Sequence, residues 1–79
     1  MYGNKLQEVK KIILIVLENS SLPVNVDINL ETRFREDLGL DSIALAELAV
    51  RIEEKYDVDV FEDGLVFSVE EVIRKIWIG

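Results

Sequence analysis

The sequence predicts an all-α fold: a small helical bundle with three main helices, a short third helix or turn before the last of them, and a long first loop. Three observations predict it. Apolar residues recur at helical spacing in three separate stretches. The alternation at Asp57 to Val60, which could pass for a strand, is short and has no partner strand. The 79 residues are 49% apolar and contain no cysteine, so a packed core rather than disulfides has to hold the chain together. A chain of this length makes one domain, near the size at which a single core just suffices, and residues 1–79 are read as one unit.

The first helix is expected from Lys5 to Glu18, where Leu6, Val9, Ile12, Ile13, Val16 and Leu17 form one stripe. Asn4, with Gln7 three residues on, is the expected cap. Leu14 and Ile15 widen the stripe and imply a deeply buried helix. Residues Asn19 to Asp41 then form a long connection, punctuated by "NSSLPVNVD". So long a loop is unusual in a small domain and needs its own apolar pins, for which Leu22, Val24, Ile28, Leu30, Phe34 and Leu38 are the candidates. A helical turn fits Thr32 to Leu38, ended by Gly39.

The second helix is expected from Ser42 to Tyr56. Leu45, Leu48, Ala49, Ile52 and Tyr56 make its inner face, and Glu47, Arg51, Glu54 and Lys55 its outer one. "DVDV" (Asp57 to Val60) alternates but has no partner strand, and is read as an extended connector. "FEDGLVF" (Phe61 to Phe67) has room for one helical turn, and Gly64 argues against more. The last helix carries the clearest start signal: Ser68 and Glu71 form an S-x-x-E capping box, with Phe67 placed to staple against Val72. Val69, Val72, Ile73, Ile76 and Trp77 line its face.

Composition excludes several kinds of function. Nine Lys and Arg against 16 Asp and Glu give a net charge of −7, which repels a phosphate backbone and favours partners with basic patches. There is no histidine or cysteine, and the four glycines are scattered, so no imidazole base, thiol nucleophile or phosphate loop exists. A serine hydrolase needs a base beside its serine, and no lysine lies near Ser42 in sequence. "DVDVFEDG" lacks the ligand alternation, the sixth-position glycine and the closing glutamate of a calcium loop. The apolar run Ile12 to Leu17 is too short to span a bilayer. A cytoplasmic protein with no targeting segment is expected.

What remains is "EDLGLDSIALAEL" (Glu36 to Leu48), which sets Ser42 at a helix start. On residue type alone, Ser42 or Asp41 is a helix cap. The same place also suits an anion attached to the serine, because free N–H groups and the positive end of the helix dipole meet there.

Leu38 to Val60, "LGLDSIALAELAVRIEEKYDVDV", resembles the acyl carrier protein family. Asp41-Ser42-Ile43 is similar to that family's Asp-Ser-Leu attachment motif, preceded by Leu-Gly. Glu47, Leu48, Glu53, Glu54 and Tyr56 follow at matching spacing. The likeness extends over nearly the whole chain, including the apolar first helix, the long loop and the capped last helix.

The resemblance implies a carrier rather than an enzyme. Ser42 would bear a covalent 4′-phosphopantetheine arm, transferred from coenzyme A by a Mg²⁺-dependent phosphopantetheinyl transferase, and the arm's thiol would hold acyl groups as thioesters. Asp41 and Ile43 would meet the transferase. Glu47, Glu53 and Glu54 would meet basic patches on enzymes that load and transfer the acyl group. Val60 would contact the arm or the acyl cavity, or serve as plain core. A free-standing monomer is expected, serving fatty acid, polyketide or other specialised synthesis. Ala44, Arg51, Lys55 and Phe61 depart from the pattern of fatty-acid carriers, as does the shortened segment holding Gly64, and they point to a distinct partner set. The alternative is a helical adaptor that binds basic proteins without a covalent cofactor.

Overall fold

Three helices, α1 (Gly3–Asn19), α2 (Ser42–Tyr56) and α3 (Val69–Trp77), account for the regular structure of the computed structural model, which describes residues 3–62, 64 and 66–77. Helix α1 packs against both of the others. Its stripe of Val9, Ile12, Ile13, Val16 and Leu17 is buried as expected. Ile15 does not join it: the side chain is 45% exposed, and Leu14 is only partly covered. Two helical neighbours cover two sides of α1, and successive residues advance by about 100° around the axis, which carries Ile15 past the edge of that cover. Asn4 also departs from expectation, since α1 already includes it. The first turn is held from outside by packing, with Lys5 Nζ lying 5.7 Å from the Trp77 ring centroid.

Helix α1 ends without a glycine. Ser21 takes the left-handed conformation (φ 59°), Leu22 N–H donates to Leu17 O at 2.9 Å, and Ser21 N–H donates to Glu18 O at 3.1 Å. This pair of bonds is a Schellman closure, and it turns Leu22 inward onto the core.

The long loop is pinned both by side chains and by backbone. Ile28, Phe34, Leu38 and Leu40 are buried, Leu22 and Leu30 pack against the core, and Val24 stays 46% exposed. Thr32, the one buried polar residue among those described, exchanges hydrogen bonds with Asn29: its Oγ1 accepts from Asn29 N–H at 2.8 Å and donates to Asn29 Oδ1 at 3.3 Å. Three carbonyl–amide bonds then join the loop to the start of α3. Phe34 N–H donates to Phe67 O, Val69 N–H to Thr32 O and Glu70 N–H to Leu30 O, each at 3.0 Å. Two amides at the helix start that have no partner within the helix are thereby satisfied by the loop. The helical turn after Thr32 forms as expected. Asp37 N–H donates to Arg33 O, and Gly39 (φ 78°) closes the turn by donating to Arg35 O at 3.1 Å.

Among the described residues between α2 and α3 the chain makes turns rather than a helix. Asp57, in the left-handed conformation, donates its N–H to Glu53 O at 2.8 Å and ends α2. Glu62 N–H then bonds Asp59 O, and Gly64 N–H bonds Phe61 O. Of the turn expected over Phe61 to Phe67, Asp63 and Leu65 lie outside the described residues. No strand forms at Asp57 to Val60. The capping box of α3 is present: Ser68 Oγ accepts from Glu71 N–H at 3.4 Å, and Glu71 Oε1 accepts from Ser68 Oγ at 3.3 Å and from Phe67 N–H at 3.2 Å. The staple is not: Val72 is fully buried, whereas Phe67 remains 53% exposed and engages Phe34 through its backbone.

Candidate functional site

The residues before α2 alternate in role. Leu38 and Leu40 are buried, Gly39 between them turns the chain in a conformation that favours glycine, and Leu40 N–H donates to Phe34 O at 3.0 Å. Asp41 follows in extended conformation (φ −92°, ψ −176°) and caps α2, its Oδ1 accepting from Ala44 N–H at 2.9 Å. The capping role that residue type left open between Asp41 and Ser42 therefore falls to Asp41. Ser42 is the first helical residue. It is exposed, and its hydroxyl makes no hydrogen bond among the described residues.

Beside Ser42 lies a cleft of about 290 Å³, lined by Arg35, Ser42, Leu45, Ala46 and Phe61. Arg35 comes from the helical turn before Gly39, Leu45 and Ala46 from the first turns of α2, and Phe61 from the connector. Larger hollows, such as one of about 400 Å³ between the loop and α3, lie away from Ser42 and are lined mostly by charged side chains.

The outer face of α2 carries the other expected residues. Ile43 is 81% exposed, and Ala46 and Val50 continue an apolar row at helical spacing. Glu53 and Glu54 are exposed and flank the same face. Glu47 is only half exposed and is already engaged: Oε2 accepts from Asn19 Nδ2 at 2.8 Å and from Arg51 Nε at 3.0 Å. These two bonds, Asn19 first and Arg51 second, hold its carboxyl below the ordinary glutamate range. Val60 is core, 1% exposed, and it is the adjacent Phe61 whose ring reaches the cleft. Arg35, Ala46 and Val50 lie outside the site residues expected from the sequence. The outward row is recoverable from the 43-46-50 spacing, whereas the approach of Arg35 depends on how the loop folds.

Among the described residues, no cluster of acidic side chains is arranged to hold a metal ion, and no helix is long and apolar enough to cross a membrane. Residues 10–75 match the family model described as the phosphopantetheine attachment site. The chain belongs to the acyl carrier protein family. It is 35% identical over 69 residues to the acyl carrier protein of Rickettsia bellii (strain RML369-C), spanning 85% of this chain and 79% of that one. It is 34% identical over 71 residues to the acyl carrier protein of Campylobacter lari, 87% of each. It is also 41% identical over 54 residues to the mitochondrial acyl carrier protein of Saccharomyces cerevisiae, 68% of this chain and 43% of that one. No solved structure matches the chain.

As a family member the chain is a carrier and not an enzyme, and its cofactor is covalently attached 4′-phosphopantetheine. The residues present fit that group. An exposed serine hydroxyl, free of capping, stands at a helix start beside a cleft with one cation and an otherwise largely apolar wall. When bound, the group supplies a thiol on a flexible arm, which a chain without cysteine does not itself possess.

Proposed function

We propose that Ser42 Oγ is the attachment point and that the protein, as a single carrier domain, holds acyl intermediates as thioesters for delivery to successive enzymes. One observation carries this: Asp41 caps α2, so that Ser42 is left exposed and unpartnered at the rim of the cleft. In this reading Asp41 and Ile43 are met by the phosphopantetheinyl transferase. The row Ile43, Ala46 and Val50 gives partners an apolar contact, and Glu53 and Glu54 steer basic patches toward it. Glu47 adds to the same field while its carboxylate holds Asn19 and Arg51. Val60 is where an acyl chain entering the core would pack. Several partners must use the α2 face in turn, which favours a monomer and brief, electrostatically steered contacts.

The cargo follows from the partner set. Ala44 stands buried where the resemblance to fatty-acid carriers leads one to expect an acid, and Arg51 and Lys55 bring positive charge to α2, paired there with Glu47 and Glu8. We read the chain as serving a dedicated acyl, aminoacyl or polyketide route. In a competition assay with fatty-acid synthase enzymes, elongation on this carrier is expected to be poor; efficient elongation would place it in ordinary fatty acid synthesis.

The attachment is tested by intact mass spectrometry after incubation with coenzyme A, Mg²⁺ and a broad-specificity transferase. The parent gains one phosphopantetheine and Ser42→Ala gains none. A gain on both proteins would move the site elsewhere. No gain on either would leave Ser42 without the arm and return the non-covalent adaptor to consideration.

A further inference from the structure

Among the described residues, Arg35 is the one charged side chain lining the cleft, and none of them pairs with it. It is exposed, and its guanidinium makes no hydrogen bond or ion pair among the described residues. Its neighbour Arg33, by contrast, pairs with Glu36 at 3.2 Å. The backbone of Arg35 is nonetheless well fixed: its carbonyl accepts from Gly39 N–H in the closure that leads directly into Asp41 and Ser42. A cation is therefore set toward Ser42 from a second element, in a chain whose net charge is −7.

We propose that Arg35 is a positioning residue for the arm, pairing with the phosphodiester on Ser42 while Leu45, Ala46 and Phe61 receive the branched apolar segment that follows the phosphate. The proposal rests on the reading of Ser42 as the attachment point. Its physical basis is charge balance. A phosphodiester on Ser42 Oγ is ionised at every physiological pH and lies one residue from the Asp41 carboxylate, whose ionised form is the better acceptor for the cap on Ala44. The start of α2 offsets part of that repulsion. A guanidinium, planar and always charged, offsets the rest and can engage two phosphate oxygens together. Neutral or apolar side chains at position 35 would leave the two anions facing each other. The arm is then directed along the cleft toward Phe61 instead of sampling all directions from the helix start.

The test uses the full chain in apo and arm-bearing forms, with mass spectrometry of parent and Ser42→Ala first establishing attachment at Ser42. If attachment is elsewhere or absent, the reading of Ser42 fails, and the inference with it. With attachment at Ser42 established, two NMR measurements test Arg35 alone. In the parent, the Arg35 Nε–Hε resonance is expected to move on attachment, along with the Phe61 ring signals. The ³¹P resonance of the arm is expected to differ between the parent and Arg35→Gln, to fall between the two in Arg35→Lys, which keeps the charge but loses the two-oxygen contact, and to approach the Arg35→Gln position in the parent as salt rises from about 0.1 to 1 M, where the Debye length falls from about 10 to 3 Å. An Arg35 resonance that does not move on attachment, or ³¹P positions identical in parent and Arg35→Gln, would overturn the inference while leaving the attachment at Ser42 intact.

Discussion

Asp41 and Ser42 divide two tasks that a single residue commonly performs or neglects. Because the carboxylate of Asp41 caps α2, the adjacent hydroxyl is released. Asp41→Ala is expected to destabilise the fold by about 1 kcal/mol, whereas Asp41→Asn, which keeps an oxygen acceptor, should cost much less, as chemical denaturation of the two variants would show. Ser42→Ala removes no structural bond and should unfold at the same denaturant concentration as the parent. Glu47 adds a pH dependence. Its folded pKa is depressed, so the native state binds fewer protons than the unfolded state, and the stabilisation is complete above the ordinary glutamate value of about 4.3 and is lost as pH falls through the lower folded value. Glu47→Gln should therefore flatten the acid limb of the stability–pH curve; an unchanged limb would mean that Asn19 and Arg51 do not hold the carboxylate in solution.

At the scale of elements, α2 serves two surfaces with one sequence. Leu45, Leu48 and Ile52 face the core, while Ile43, Ala46 and Val50 face outward with Glu53 and Glu54 beside them. Exposed acids contribute little to stability. Reversing Glu53 and Glu54 to Lys should thus leave the thermal midpoint nearly unchanged while slowing association with a basic partner, most strongly at low salt. Stopped-flow association with a phosphopantetheinyl transferase would measure this, and unchanged rates would reduce both residues to solvated surface. Helix α3, nine residues long, depends on its surroundings: the capping box closes its start, and the loop carbonyls of Thr32 and Leu30 take two of its free amides. Its far end is tied to α2 by the edge-to-face contact of Trp77 with Tyr56, centroids 5.0 Å apart. The Tyr56 hydroxyl donates to Glu8 of α1 at 2.8 Å, and its burial, reinforced by that bond, raises the phenol's pKa far above the ordinary range.

For the whole molecule, Phe34 is the point at which the long loop becomes part of the core. Its side chain is fully buried, its N–H donates to Phe67 O, and its carbonyl accepts from Leu40 N–H just before the site. Phe34→Ala is expected to cost about 3–5 kcal/mol, a large share of the stability of a domain this small. It should also loosen the approach to Asp41, visible as faster amide exchange from Leu38 to Ile43; a shift under about 1 kcal/mol with unchanged exchange would show that the loop is held by its other pins.

Local periodicity and short motifs were enough to place the three helices, the full span of α2, the α3 capping box and Ser42, because the physics of each acts within a few residues. Local signals misled at Asn4, a good cap type that lies inside α1 because the helix begins at Gly3, and at Ile15, whose exposure depends on which sides of α1 are covered. Ser21 ends α1 in a conformation usually left to glycine, which no residue-type rule would have singled out. Long-range packing makes Asp41 rather than Ser42 the cap of α2, brings Phe61 rather than Val60 to the cleft, and sets Arg35 on its wall. These outcomes depend on where a 22-residue connection lies between α1 and α2. That path is set by hydrogen bonds and apolar contacts between residues more than 30 positions apart, such as Phe34 with Phe67 and Thr32 with Val69.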